Sequence, residues 1–426
     1  MKPNNFPEKV IWYSIIGTYI FYFTGLLYFV AAFVGWVLTF YLLKKWWEQT
    51  ERTPIDQRIN VPWLVWVWIV CMLAMEVALI IGHIDFNLGM ATMIKSTLGW
   101  VRGWALWALL PLIACLNVRP QLVSRAVCVL CLQTLILFPF YFSAYLLHIP
   151  TPWYTVPLNV FGGPPAAFTI APYLFEAETG TFRIGFFAPW AAAIGFVGAV
   201  YFPLCMYEKD KRWRWIGMAA SFLMCLVSGS RLAVLSVFIA WLIPEVIANL
   251  HRPFLLFIAS GLSVVTGIFY QNILDSIEFL YGGFRNLRKS SSEVRENLDR
   301  IAIYRWSDAP ITGHGTTEPG PHLVQFMPIG THNNWTSLLF LKGIVGFFAL
   351  AIPMVFSFID LAVKAQKSLV AKIALRIFVA IFLNTFADTI EVSVYLIWPA
   401  VVFMGMGFQE QQSKTKNTYS YSNAMS

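Results

Sequence analysis

Charge is scarce in this chain. Only 12% of its 426 residues are Asp, Glu, Lys or Arg, about half the share found in soluble domains. Such a chain cannot hide its apolar surface in a core surrounded by water, so lipid must be its solvent. The short motifs of many enzyme classes are missing too. There is no HExxH, no GxSxG, no Walker A sequence and no GxGxxG after a strand. No Asp-x-Asp occurs anywhere, so a diphosphate site, if present, is most simply metal-free. Cysteine is limited to six residues, all inside apolar runs. Cys128 and Cys131 have CxxC spacing, but Val and Leu surround them and no His or carboxylate is near. They read as small apolar helix residues, with no disulfide framework and no metal.

What is there is apolar, aromatic and long. Hydrophobic residues make up 58% of the chain and aromatics 17%, with a mean hydropathy of +0.64. Many of the 18 Trp stand near expected helix ends, where the headgroup layer suits their rings. A bilayer-crossing helix takes about 20 apolar residues. Candidate runs are 10–24, 26–43, 62–82, 98–117, 121–147, 184–206, 214–228, 231–249, 253–270, 334–359, 369–387 and 390–408. The expected fold class is therefore all-α, a polytopic transmembrane bundle of about twelve spans. It fills residues 1–408, followed by a polar, disordered cytoplasmic tail over 409–426. The apolar stretch from Val10 to Leu43 greatly exceeds the roughly 7–15 residues of a signal-peptide core, so retained membrane segments are expected there.

The positive-inside rule tests this map independently. With the N-terminus in the cytoplasm, most Lys and Arg fall in cytoplasmic segments. The short outer loops then hold only Lys95, Arg183 and Arg231. Both termini are expected to be cytoplasmic. The excess positive charge (pI about 9.1) is thus a matter of topology and does not point to nucleic acid. Two outer segments are long. Residues 148–183 are proline-rich and expected to run irregularly along the membrane surface. Residues 271–333 form a large outer loop, and loops of that length tend to be functional. Inside it, Ser290-Ser291-Ser292-Glu293 is a capping-box pattern opening a helix to Asp308. Val294, Leu298 and Ile301 mark that helix's apolar face.

The outer side also carries the side chains with chemistry: Arg183, Arg231, Arg300, Arg305 and His332, with Glu176, Glu178, Glu318, Asp388 and Glu391 nearby. A guanidinium presents a rigid fork of donors that matches phosphate oxygens. Two or three converging forks grip a diphosphate and stabilise it as a leaving group. His332 adds a group that exchanges a proton near neutral pH. Each residue has a plainer reading. Arg183 also fits snorkelling to the headgroups, and Arg231 a short helix–helix turn. Arg300 with Glu296, and Arg295 with Asp299, also fit surface pairs four residues apart. Arg305 shares the face of Leu298 and Ile301, and is buried, snorkelling or functional. His332 also fits a helix flank. Gly313-His314-Gly315 reads as a turn.

The order of these features resembles the O-antigen ligase and O-antigen polymerase superfamily of bacterial inner-membrane proteins. Ser228-Gly229-Ser230-Arg231-Leu232-Ala233 resembles the Ser-Arg turn of that family. Arg300 to Trp306, followed by Ala309-Pro310-Ile311-Thr312-Gly313-His314-Gly315, resembles its Arg-then-Trp helix and Pro-x-x-Gly-x-Gly turn. His332-Asn333-Asn334-Trp335, Leu338 and Lys342-Gly343-Ile344-Val345-Gly346 resemble its His-Asn signature and the Gly-x-x-Gly after it. Arg183 with Gly185 looks like a further family arginine. Trp335 is bulkier than the family's usual residue after the His-Asn pair.

The resemblance covers about residues 180–350 and implies a GT-C-type helical fold that uses no metal or other cofactor. The donor would be a glycan on undecaprenyl diphosphate, and the acceptor a saccharide or a lipid-linked one. Arg183 and Arg231 would hold the diphosphate, with Arg300 and Arg305 in support. His332 would engage the acceptor hydroxyl, with Asn333 and Glu318 on the acceptor side. Transfer would invert the anomeric carbon. A transporter or flippase of lipid-linked saccharides is the rival expectation, with the intramembrane Lys342 and Arg376 as its best support.

Overall fold

Glycine, proline and side-chain caps decide where the apolar runs break into helices. The computed structural model describes residues 1–54, 58–175, 180, 182–249, 252–271, 274–276 and 289–410. Asn5 caps α1 (Phe6–Ile16) by accepting from the Glu8 N–H, with Pro7 in the first turn. After α2 (Thr18–Phe23), Gly25 takes φ +74° and turns the chain into α3 (Leu27–Trp47). That is the expected break between the first two runs. There follow α4 (Trp63–Asp85), α5 (Met90–Arg102), α6 (Leu106–Ile113) and α7 (Pro120–Leu146). The middle of the chain holds α8 (Ala191–Met206), α9 (Lys211–Val227), α10 (Arg231–Ala248) and α11 (Pro253–Ile268). The last four are α12 (Lys289–Trp306), α13 (Asn334–Lys364), α14 (Leu369–Asn384) and α15 (Ile390–Gln409).

Six of these helices, α3, α4, α7, α10, α13 and α15, are long and apolar enough to cross a bilayer. The chain is a mostly helical membrane protein. Several expected spans differ in detail. Run 10–24 is two helices, α1 and α2, on either side of Gly17, and run 334–359 is interrupted at Gly343. Run 98–117 is split into α5 and α6 around Gly103. Run 184–206 becomes helical only at Ala191, because Phe186 takes φ +49° and Pro189 disfavours helix at the residue before it. The proline-rich segment 148–183 is irregular as expected. It contains two small antiparallel ladders, β1 (Tyr154–Thr155) with β2 (Thr169–Ile170) and β3 (Leu174–Phe175) with β4 (Phe182–Arg183). Glu176 and Glu178, most of loop 272–288 and the tail beyond Glu410 lie outside the described residues. The loop helix opens at Lys289 and closes at Trp306, close to the expected bounds.

α15 is the centre of the bundle, with 89% of its apolar window buried. In lipid there is little hydrophobic drive between helices, so close backbone approach and dispersion hold them together. Gly405 permits one such approach. A Cβ there would sit 2.5 Å from Pro111 Cα and 2.7 Å from the Pro111 carbonyl oxygen of α6. Gly405→Val is therefore expected to push α6 off α15 and cost the protein its monodisperse peak on size exclusion in detergent. A wild-type profile would show that the contact is dispensable. The cysteines serve the same packing. All six are buried and unpaired. A Cβ on Gly217 of α9 would meet Cys205 Sγ of α8 at 2.6 Å and Cys128 Sγ of α7 at 2.8 Å.

Ion pairs, several with a buried member, gather at one end of the bundle. Arg125 binds Glu208 at 2.8 Å, with Glu208 wholly buried. Arg119 binds Glu8 at 2.6 Å, and Lys364 binds Asp360 at 2.8 Å. Glu245 of α10 receives both Lys372 and Arg376 of α14 at 2.7 Å. The opposite end, where α8, α10, α13 and α15 begin, holds the polar cavity.

Candidate functional site

Two arginines distant in sequence are brought side by side by a backbone tie. The Ile184 N–H donates to the Val227 carbonyl at 3.2 Å, which lays β4 across the end of α9. Arg183 then lies against the turn that follows. Gly229 takes φ +63° there, and a Cβ on it would stand 3.1 Å from Arg183 Nε. Two residues on, Ser230 caps α10 by accepting from the Ala233 N–H, which places Arg231 at the first helical position. Ser228 tightens the turn. Its hydroxyl donates to the Cys225 carbonyl at 2.7 Å and accepts from the Ser230 N–H at 3.0 Å.

Arg183 and Arg231 line a cavity of about 680 Å³ together with Arg295, His332, Trp190 and Asp388. Four helices start at its wall. Trp190 precedes α8, Ser230 caps α10, His332 and Asn333 precede α13, and Thr389 precedes α15. Each helix N-terminus carries roughly half a positive charge. Three guanidinium groups and four such ends around one cavity suit an anion. Among the described residues no cluster of three or more His, Cys, Asp or Glu could hold a metal ion.

The His-Asn segment is a structural knot as well as a wall. Asn333 caps α13 by accepting from the Trp335 N–H at 3.0 Å, and donates to Asp299 of α12 at 3.2 Å. Thr336 donates to the same carboxylate at 2.6 Å. The Asn334 N–H donates to the Thr385 carbonyl, and its Oδ1 accepts from the Ile390 N–H at 3.2 Å. Trp335 Nε1 donates to Thr385 Oγ1 at 2.9 Å. Between these anchors His332 takes φ +75° and lines the cavity, a conformation uncommon for a residue with a Cβ. Burial pushes the imidazole below its usual pKa and the Arg295 charge adds to this, while Asp299 opposes both. Burial pushes Asp388 above the usual carboxylate range, against hydrogen bonds from the Thr389 N–H (2.8 Å) and Trp190 Nε1 (3.1 Å) and the charge of Arg295. Both groups on this wall are thus shifted towards their neutral forms.

Of the residues singled out in the sequence, Arg183, Arg231 and His332 meet in this cavity. Arg300, Arg305, Glu318 and Asn333 do not line it. Arg300 extends outward, 73% exposed, and binds Glu296 at 2.7 Å. It follows Arg295 by five residues, about 140° around the helix, so the two cannot face the same cavity. Arg305 is held at 3.1 Å by both Asp308 and Glu318, which occupies Glu318 as well. Asn333 acts as the cap and tie described above. Arg295 and Asp388 were missing from the expected site. No local signal in the sequence separated Arg295 from Arg300, since both stand four residues from an acidic partner. Asp299, read as the surface partner of Arg295, bonds instead to Asn333 and Thr336.

A second, wholly apolar groove of about 420 Å³ runs between α10, α13 and α14. Ile243, Met354, Phe358, Phe378 and Phe382 line it, with Trp335 and Leu383. Leu383 lines this groove and its neighbour Asn384 lines the polar cavity. No protein-family model matches the chain, and no curated protein matches its sequence.

Proposed function

We propose that this protein is an inverting glycosyltransferase of the O-antigen ligase and polymerase type, acting on an undecaprenyl-diphosphate-linked glycan. In this reading a GT-C-like bundle of about twelve spans sits in the bacterial inner membrane, with both termini cytoplasmic and the cavity periplasmic. The observation that carries the reading is the convergence of Arg183, Arg231 and Arg295 with four helix N-termini on one cavity, beside His332 and Asp388. Positive charge preorganised around a diphosphate stabilises it more as the bond to the sugar breaks than before, and that difference is catalysis. The apolar groove between α10, α13 and α14 suits a polyprenyl chain.

The acceptor hydroxyl oxygen attacks the anomeric carbon from the face opposite the diphosphate. The bond between that carbon and the phosphate oxygen breaks, and undecaprenyl diphosphate leaves. The hydroxyl proton passes to neutral His332, whose depressed pKa keeps it able to accept at neutral pH. The acceptor names the activity. A growing polymer makes it a polymerase, a lipid-anchored core sugar a ligase, and a Ser or Thr side chain a protein glycosyltransferase.

The test is a pH–rate profile with lipid-linked donor in proteoliposomes. Transfer should hold at neutral pH and fall on the acid side, below the ordinary histidine pKa of about 6.5, as His332 takes up a proton. His332→Ala should lower the rate by about 10²–10⁴-fold and abolish that acid limb. An acid limb that survives in His332→Ala would remove the histidine from the mechanism. No transfer by wild type, with precursor trapped on the cytoplasmic face of a deletion strain, would favour the flippase.

A further inference from the structure

One stretch of the cavity wall comes from a segment without charge. Between His148 and Glu176 the chain has six prolines and no Asp, Glu, Lys, Arg or His. Pro164, near the middle of that stretch, lines the cavity. Residues 157–165 form a strap, a turn of 3-10 helix (Pro157–Phe161) followed by Gly162, Gly163 and two prolines. Pro157, Pro164 and Pro165 have no N–H to give to a backbone ladder, so side chains of the bundle hold the strap. Tyr154 donates its hydroxyl to the Phe23 carbonyl at 2.6 Å on one side, and the Ala171 N–H donates to the Tyr22 hydroxyl at 3.3 Å on the other. Arg102 holds the tip. Its Nη1 donates to the Phe161 carbonyl at 2.6 Å and to the Gly162 carbonyl at 3.3 Å. The two glycines permit this approach. A Cβ on Gly162 would stand 2.7 Å from Arg102 Nη2, and one on Gly163 2.7 Å from the Tyr28 ring.

Arg102 is itself fixed before it reaches the strap. It ends α5, and its Nε donates to the Leu98 carbonyl at 3.0 Å, a favourable place for a cation. Trp36 Nε1 donates to the Val101 carbonyl at 3.1 Å, and Trp100 Nε1 to the Met72 carbonyl at 3.0 Å. These bonds pin the last turn of α5 to α3 and α4. The guanidinium lies 5.7 Å from the Tyr28 ring centroid and 5.8 Å from that of Phe29. A planar fork of donors holds carbonyls at its edge while an aromatic ring covers its face, and an ammonium has no such plane.

The strap suits neither part of the donor already placed. It offers no charge to a diphosphate. It rests on α3, where Tyr28 meets Phe168 at 5.8 Å and Tyr395 of α15 at 5.0 Å. The apolar groove lies elsewhere, between α10, α13 and α14. A rigid, uncharged proline wall recognises by shape and dispersion, which fits the C–H faces of a sugar ring. We propose that Arg102 is a positioning residue, holding the strap as the acceptor-side wall of the cavity and so setting KM for a saccharide acceptor. The assignment to the acceptor rests on the transferase reading; the clamp on the strap does not.

The experiment uses the full chain in lipid nanodiscs, with Arg102→Gln and Arg102→Lys. Backbone hydrogen exchange over residues 156–167 is read beside transfer kinetics. The donor is an undecaprenyl-diphosphate-linked glycan and the acceptor a lipid-anchored oligosaccharide, each varied in turn. Arg102→Gln loses the charged donor, so exchange there should rise about tenfold and KM for the acceptor about tenfold. Both kcat and KM for the donor should stay within about threefold of wild type. Arg102→Lys keeps a cation without the fork and should fall between. Exchange and acceptor KM at wild-type values in Arg102→Gln overturn the clamp. A loss confined to kcat, or a donor KM raised as much as the acceptor KM, overturns the acceptor assignment. A Gln variant that does not fold overturns the positioning role, because Arg102 would then be a folding element. If exchange rises as expected while wild type transfers no glycan, the clamp stands and the transferase reading fails.

Discussion

Arg231→Ala is expected to lower glycan transfer by about 10²–10³-fold with folding intact, the loss typical when one preorganised donor to a developing oxyanion is removed. Arg231 starts α10 and faces the cavity, so its charge adds to the dipole of its own helix. The diphosphate gains negative charge as the glycosidic bond breaks. A contact that strengthens along that coordinate affects kcat more than KM. Folding should survive, because Ser230 supplies the helix cap without help from the Arg231 side chain. The measurement is complementation of a deletion strain, with surface glycan and lipid-linked precursor run side by side. Product should vanish while periplasmic precursor accumulates. Arg300→Ala is the paired control. Its side chain is 73% exposed and bound to Glu296, a kind of pair worth only a few tenths of a kcal/mol, so near-normal glycan is expected. A reversed result, with Arg300 essential and Arg231 dispensable, would move the site out of the cavity.

Arg125→Leu is expected to destabilise the folded protein by about 3–5 kcal/mol, the usual cost of leaving one partner of a buried ion pair uncompensated. Glu208 has no exposed side-chain surface and Arg125 only 17%. Two bonds of 2.8 Å join them, and Gln121 and the Asp210 N–H complete the carboxylate's shell. Burial alone would raise the Glu208 pKa, but the Arg125 hydrogen bonds and these further donors hold it below the usual carboxylate range. The sign follows from that depression. The stabilisation is present above the unfolded carboxylate pKa, about 4.3, and is lost as pH falls through the lower folded value. Unfolding followed by tryptophan fluorescence in detergent at neutral pH should show a clear drop in midpoint. Arg125→Leu with Glu208→Gln should recover part of it, because no charge is then buried alone. A single variant as stable as wild type would mean that water reaches Glu208.

Much of the architecture was legible in one dimension. Apolar runs, their breaks and the loop helix depend on local composition, and Gly25, Ser230 and Asn333 act within a few residues of their own position. The meeting of Arg183, Arg231 and His332 was approached through a family resemblance, because no local signal joins residues so far apart. What brings them together is a single tie between Ile184 and Val227, and the knot of Asn334 with Thr385 and Ile390. Asp388 stood among the acidic residues noted on the outer side, but its place on the cavity wall depends on where Trp190 lies.

That lipid is the solvent, where most helices begin and end, and that an arginine-bearing turn precedes α10 all follow from the order of the residues alone. Hydropathy, capping and backbone restriction are properties of neighbouring residues, so they can be read without a fold. Which arginine of α12 reaches the cavity depends on packing between elements far apart in the chain. Val294, Leu298 and Ala302 pack with Val324, Ile329 and Phe340, and that packing sets the rotation of the helix. Turned by this contact, α12 presents Arg295 inward and leaves Arg300 outside, and no periodicity within the helix alone distinguishes the two.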